Sequence, residues 1–180
     1  MRQFALSIFA AICLASVPTL STAASAVEID AKVEAALEAF YEHSSAGKKL
    51  AQKAAGMLVF PSVIKAGIGI GGEYGEGALL SGGKTVGYYN IAAASIGFQL
   101  GAQVKSEIIM FMTAESFKAF QASDGWEAGV DGSVALVTLG AGGEIDTENI
   151  TDPIIGFIFS NKGLMYNLSL EGSKITKLDK

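Results

Sequence analysis

Apolar side chains recur at helical spacing in residues 28–45, EIDAKVEAALEAFYEHSS. Ile29, Val33, Ala36, Leu37 and Phe40 share one face. Glu34, Glu38 and Glu42 form a ridge on another face, and like charges four residues apart repel mildly, so the ridge belongs in water. Gly47 reads as a break. KKLAQKAA, 48–55, reads as a second short helix ended by Gly56. Beyond that glycine the period shortens from 3.6 to 2. MLVF, 57–60, predicts a short buried strand stopped by Pro61. In 92–104, AAASIGFQLGAQV, the residues Ala92, Ala94, Ile96, Phe98, Leu100, Ala102 and Val104 face one side. Ala93, Ser95, Gly97, Gln99, Gly101 and Gln103 face the other. EIIMFM, 107–112, is apolar on both faces and predicts a central strand. TAESFKAFQ, 113–121, predicts a helix capped by Thr113 with Phe117 and Phe120 inward. GSVALVTLG, PIIGFIF and GLMYNLSLEG read as further strands. The expected fold class is α+β, predominantly antiparallel β-sheet with glycine-rich strands, N-terminal helices and one internal short helix. A helical segment, 28–55, precedes a β-rich body, 57–178, in one domain spanning 27–180.

GIGIGGEYGEG, 67–77, contains GxGxxG at Gly67, Gly69 and Gly72. A dinucleotide turn must lead into a helix whose N-terminus holds the pyrophosphate. Gly72 leads instead into EYGEGALLSGG, too rich in glycine for a helix at about 1 kcal/mol per glycine relative to alanine. Glu73 and Glu76 also stand where a phosphate would sit. Gly67, Gly69 and Gly71 alternate with Ile68 and Ile70, which is a strand with one bare face. A bare face admits close approach by backbone, ring or acyl chain. The doubled Gly71-Gly72 permits a bulge and a bend. Gly97 and Gly101 form a second bare stripe. Two readings stand: glycine faces pressed together as core packing, or a groove that accepts part of a lipid.

The first residues change the picture of where the protein works. Arg2, an apolar run from Phe4 to Val17, Pro18 and Ala24-Ser25-Ala26 read as a secretory signal, with cleavage expected after Ala26. An N-terminal membrane anchor is the competing reading, but the run is short of the roughly 20 apolar residues a span needs. Cys13 lies inside the apolar run behind Ile12, which does not suit a lipid-modified cysteine, so Cys13 is assigned to the leader. From Val27 onward there is no cysteine, hence no disulfide framework and no thiol nucleophile. Without Arg2 the chain holds 12 basic residues against 18 acidic, net −6. That balance argues against a nucleic-acid partner and against general attraction to anionic membranes.

Catalytic apparatus is sparse. His43, the one histidine, falls on the solvated side of the acidic helix. No Ser/His/Asp arrangement, HExxH or Cys/His metal spacing occurs. Asp124 and Glu127 could do acid–base work but flank Gly125 and Trp126 in a stretch that reads as a turn. DTENITD, 146–152, is an acidic loop that could bind Ca²⁺ weakly, but it lacks the alternating ligand order of an EF-hand and a solvated loop is the favoured reading. NIT and NLS match glycosylation acceptors, which carry no meaning in a bacterial protein, as the compact leader suggests. No enzyme, cofactor or metal is therefore expected. Lys48, Lys49 and Lys53, with Lys65 at the start of the glycine strand, are the candidate lipid contact. A solvated helix face is the competing reading.

Pro61, KAGIGIGGEYGEG from Lys65, GFQLGAQ at 97–103 and SNKGLMYNLSLEGS at 160–173 together resemble the SYLF domain family, over roughly residues 45–178. Tyr89 in GYYN stands where members often have Trp, and the chain stops at Lys180 where many continue into an aromatic tail. The resemblance implies phosphoinositide or other lipid binding and, in yeast and animal members, actin. Bacterial members are secreted or lipid-anchored envelope proteins. The helix that engages membrane in lipid-binding relatives is basic, whereas 28–45 is acidic, and a secretory leader argues against cytoplasmic actin. The expectation is a non-enzymatic secreted lipid- or membrane-associating domain of the bacterial periplasm. The runner-up is a protein-interaction or structural envelope module without a lipid ligand; a hydrolase comes third.

Overall fold

The computed structural model describes residues 24–137, 151–160, 163–164, 170 and 172–180. For 68–70, 95–102 and 163–164 the backbone alone is described. Residues 1–23, most of the acidic loop, the NLS triplet and most of the 160–173 motif lie outside the described residues.

The chain begins with α1, Ala26–His43, and α2, Ser45–Ala51. Ser25 caps α1 by accepting a hydrogen bond from the Glu28 amide at 3.2 Å. Ile29, Val33 and Phe40 are buried as their spacing requires. The break falls at Ser44, not at Gly47. The Ser44 amide bonds to the Phe40 carbonyl, closing α1, and its hydroxyl accepts from the Gly47 amide at 2.9 Å, opening α2. Gly47 sits inside α2 because the Phe40 ring lies where a Cβ would be.

Two long strands come next, β1 (Gly56–Ser81) and β2 (Lys84–Phe111), paired antiparallel along their whole length across a turn at Gly82 and Gly83, both with positive φ. β1 does not stop at Pro61. The proline, which has no N–H to give a ladder, falls in a register shift between Phe60 and Val63 and is tolerated there. Ser106 Oγ donates to the Pro61 carbonyl at 2.8 Å. Beyond β2 lie α3 (Ala114–Ala122), capped by Thr113 as expected, and the short β3 (Trp126–Glu127) and β4 (Ala135–Leu136). β5 (Ile154–Ser160), β6 (Gly163–Leu164) and β7 (Lys174–Leu178) complete the described elements. The Asp124–Glu127 stretch is thus not all turn: Trp126 is buried and pairs with Ile175.

The sheet runs β3-β7-β2-β5-β4, with β1 beside β2 and β6 beside β5; only the β4–β5 pair is parallel among the described strands. The fold is α+β with a mostly antiparallel, curled sheet. The segment 106–111 lies between β1 and β5, the central position its double-sided apolarity predicts.

The β1–β2 hairpin folds back on itself. Lys65 and Glu73 are eight residues apart on one strand, about 26 Å if straight, yet their side chains meet at 2.9 Å. A Cβ on Gly75 would lie 2.8 Å from the Ser62 carbonyl oxygen, and one on Gly77 would strike the Val59 carbonyl. These meetings place the fold-back near Gly69. There Gly67 pairs with Gly101 and Gly69 with Gly97, so two residue steps on β1 face four on β2, a bulge that bends the ribbon. Gly71-Gly72, the doublet that suggests a bulge in the sequence, pairs regularly with Ser95 and Ala94. Gly97 and Gly101 are also not a second face to press against the first. They are the cross-strand neighbours of Gly69 and Gly67 in the same ribbon.

Apolar clusters cover both faces of the sheet. On the face turned inward by the fold-back, Phe60, Leu79, Ile91 and Phe111 pack with Phe117, Phe120 and Trp126. On the other, Val59, Leu80, Ile108 and Phe157 pack beneath Ile29, Val33, Phe40 and Leu50 of the helices.

Candidate functional site

Near the bend the usual polarity of a half-buried strand is inverted. Adjacent strand residues point to opposite faces. Ile64, Tyr74 and Val104 are 51%, 50% and 57% exposed. Their neighbours Lys65, Glu73 and Lys105 point inward, with Lys105 only 3% exposed. Ile64 lies directly across from Val104, and Tyr74 from Ala92. Ala66, Gly72, Ala92 and Ala94 are also exposed, so every described outer position from Ile64 to Tyr74 and from Ala92 to Val104 lacks a charge.

The inward charges form one cluster. Glu73 bridges Lys65 at 2.9 Å and Lys105 at 2.6 Å, and Lys105 Nζ lies 2.9 Å from Glu107 Oε1. Burial pushes the Glu73 carboxyl up, but hydrogen bonds from Lys105 and Lys65 outweigh it and hold the group below the usual carboxylate range. Burial also works against the Lys105 ammonium, yet Glu107 and Glu73 keep its pKa above the ordinary lysine value. Glu107 is shifted upward, chiefly by burial. Neither of its carboxylate oxygens has an aligned hydrogen-bond partner among the described residues.

The four candidate lysines are therefore not brought together. Lys65 is committed to Glu73. Lys48 and Lys49 are exposed on α2 and Lys53 just beyond it, anchored by buried Leu50. Lys48 lies 5.9 Å from the Tyr41 ring centre and shares a surface recess with Glu34, Glu38 and Glu42. Lys48 thus lies beside the C-terminal half of α1, a helix about 27 Å long at 18 residues. The bend region meets the other end.

At that other end, α1 and β1 enclose a cleft of about 570 Å³ lined by Ala24, Glu28, Ile29, Lys32, Pro61, Ser62, Ile64, Tyr74, Gly75 and Glu76. Lys180 holds two of these lining residues. Its ammonium pairs with Glu76 at 2.9 Å and donates to the Ala24 carbonyl, while Tyr74 donates its hydroxyl to the other Glu76 oxygen at 2.9 Å. Asp30 fixes the helix over the sheet by accepting from Thr85 and Tyr88, both at 2.9 Å. Sequence reasoning overlooked this cleft, Gly75 and Gly77. EYGEG served there only as a reason against a helix, although its alternate glycines carry the strand signal.

Among the described residues no group of three or more His, Cys, Asp or Glu side chains is placed to hold a metal ion, and no helix is long and apolar enough to cross a membrane. His43 is exposed, its Nδ1 2.7 Å from the Ala39 carbonyl.

An N-terminal helical layer over a curled sheet built on one bent glycine hairpin defines the class of domain. Residues 92–180 match the family model Ysc84, described as "Las17-binding protein actin regulator". Over those residues the chain belongs to that family, the Ysc84 or SYLF family. The match begins within β2, and so includes Lys105 and Glu107 but not α1, α2 or β1. No curated protein matches the chain.

Proposed function

We propose that this protein is an exported, non-enzymatic domain of the bacterial envelope that associates with a lipid surface. One observation carries the reading: the outer face of the bent hairpin is apolar and half exposed while the charges of the same strands are turned inward and paired. Water favours the opposite arrangement, and uncharged outer positions on an acidic protein are what an apolar medium accepts. The family description, which names a protein-binding regulator, favours the second reading, a protein-interaction module without a lipid ligand. Co-sedimentation of the full chain with vesicles, beside the variant Ile64→Asp/Val104→Asp, separates the two. Both forms carry the same apolar leader, so a difference reports the hairpin. The lipid reading expects the variant to lose binding with its melting temperature unchanged. Equal sedimentation of both forms gives the lead to the interaction module.

A further inference from the structure

We propose that the cleft between α1 and β1 receives the headgroup of one zwitterionic phospholipid, its phosphate toward Lys32 and its ammonium toward Glu28. This deepens the lipid reading above and rests on it. The cleft, about 570 Å³, falls within the roughly 300–1,000 Å³ typical of ligand pockets. Ile29, Pro61, Ile64 and the bare backbone of Gly75 supply apolar wall, and Ile64 and Tyr74 carry that wall outward onto the exposed hairpin face. A lipid lying there leads its acyl chains directly onto the surface that the fold leaves apolar.

The rim decides the headgroup. Glu76 is already satisfied, by Lys180 on one oxygen and by Tyr74 on the other. The remaining charges are Glu28 and Lys32, paired with each other at 2.6 Å across one helical turn, both about half exposed. An exposed pair of this kind is held weakly. It exchanges readily for a ligand that offers both charges at once, a phosphate for the ammonium and an ammonium for the carboxylate. A purely anionic headgroup would satisfy Lys32 and confront Glu28, on a protein that is already net acidic. Charge complementarity therefore selects the zwitterion.

The test uses the full chain, Lys32→Glu, Lys32→Arg and Ile64→Asp, with vesicles of phosphatidylcholine and of phosphatidylglycerol at one ionic strength. The expected result is preference for phosphatidylcholine, a loss of roughly tenfold or more in Lys32→Glu, as removal of a charge-assisted partner implies, and retention in Lys32→Arg. Lys32 is exposed, so all forms should melt together. Preference for phosphatidylglycerol, or Lys32→Glu binding phosphatidylcholine like the parent while Ile64→Asp does not, overturns the headgroup site and leaves lipid association standing. Failure of the parent to bind either vesicle more than Ile64→Asp does removes both proposals.

Discussion

Replacing Gly77 with alanine should destabilise the protein, and replacing Gly72 should not. Both glycines lie in β1 on ordinary strand backbone, since neither is among the positive-φ positions. A Cβ on Gly77 would strike the Val59 carbonyl oxygen, with Phe60 Cδ1 at 2.7 Å and the Val59 carbonyl carbon at 2.9 Å. Two of these three atoms are backbone, so no rotamer change relieves the clash. A Cβ on Gly72 would meet only the Ala93 carbonyl oxygen at 3.5 Å, an ordinary contact. Both substitutions restrict the unfolded chain alike, which stabilises by about 0.4–1 kcal/mol, so their difference isolates the close approach. Overpacking costs about 1–3 kcal/mol, and for a chain of this size that lowers Tm by roughly 2–12 °C. Thermal unfolding followed by circular dichroism reads the shift. Gly75→Ala, with its Cβ 2.8 Å from the Ser62 carbonyl oxygen, should fall on the Gly77 side. Should Gly77→Ala and Gly72→Ala melt together, the strand does not fold back on its own backbone and the bend at Gly69 is wrong.

Other outcomes concern the ionic cluster and the termini. Lys105→Met strands Glu107 and should cost about 3–5 kcal/mol in denaturant unfolding, with much of it recovered in Lys105→Met/Glu107→Leu; additive losses would dissolve the pairing. Because the folded-state pKa of Glu73 is depressed, its stabilisation is present above about pH 4.5 and lost as pH falls through the lower folded value, so Glu73→Gln should flatten the acid limb of a stability–pH profile, and an unchanged limb counts against it. Changing Lys48, Lys49 and Lys53 together to Gln should leave Tm unaltered, because all three are exposed; it should remove any salt-sensitive component of vesicle binding, and retention of that component places it elsewhere. Cleavage after Ala26 would discard the Ser25 cap and the Ala24 carbonyl that Lys180 reaches. A chain starting at Val27 should therefore be about 0.5–2 kcal/mol less stable than one starting at Ala24, and equal melting would show that the cap contributes nothing.

Features legible in the sequence were those set by local period. The buried face of α1, the Thr113 cap with Phe117 and Phe120, and the central position of 107–112 depend on neighbours within a turn or a strand. The Ser44 junction escapes a sequence reading because two helices can share one serine as C-cap and N-cap, while a glycine is the more natural break until the Phe40 ring is seen against it. Pro61 reads as a stop because a regular ladder would exclude it. The bulge that admits it is a property of the pair of strands, set by the opposing residues 105–107.

The bend had a signal of the same two-strand kind. Gly67 and Gly69 are spaced by two, while their partners Gly101 and Gly97 are spaced by four, and only a ribbon with extra residues on one strand can align both pairs. Once the ribbon folds at that point, parity does the rest. The odd-numbered members of the pairs Ile64–Lys65, Glu73–Tyr74 and Val104–Lys105 turn inward, and in each pair the charged residue is the odd one. A one-residue slip would put the apolar members inside and the charges in water, the choice a freely soluble strand would make. The ribbon instead holds the register that internalises two lysines and two glutamates as a neutral cluster. Such clusters seldom outdo apolar packing in stability, so what this register supplies is the uncharged outer face. Ile64 and Tyr74 of that face also line the cleft in which α1 meets the hairpin, and the two together are the surface proposed above for lipid contact.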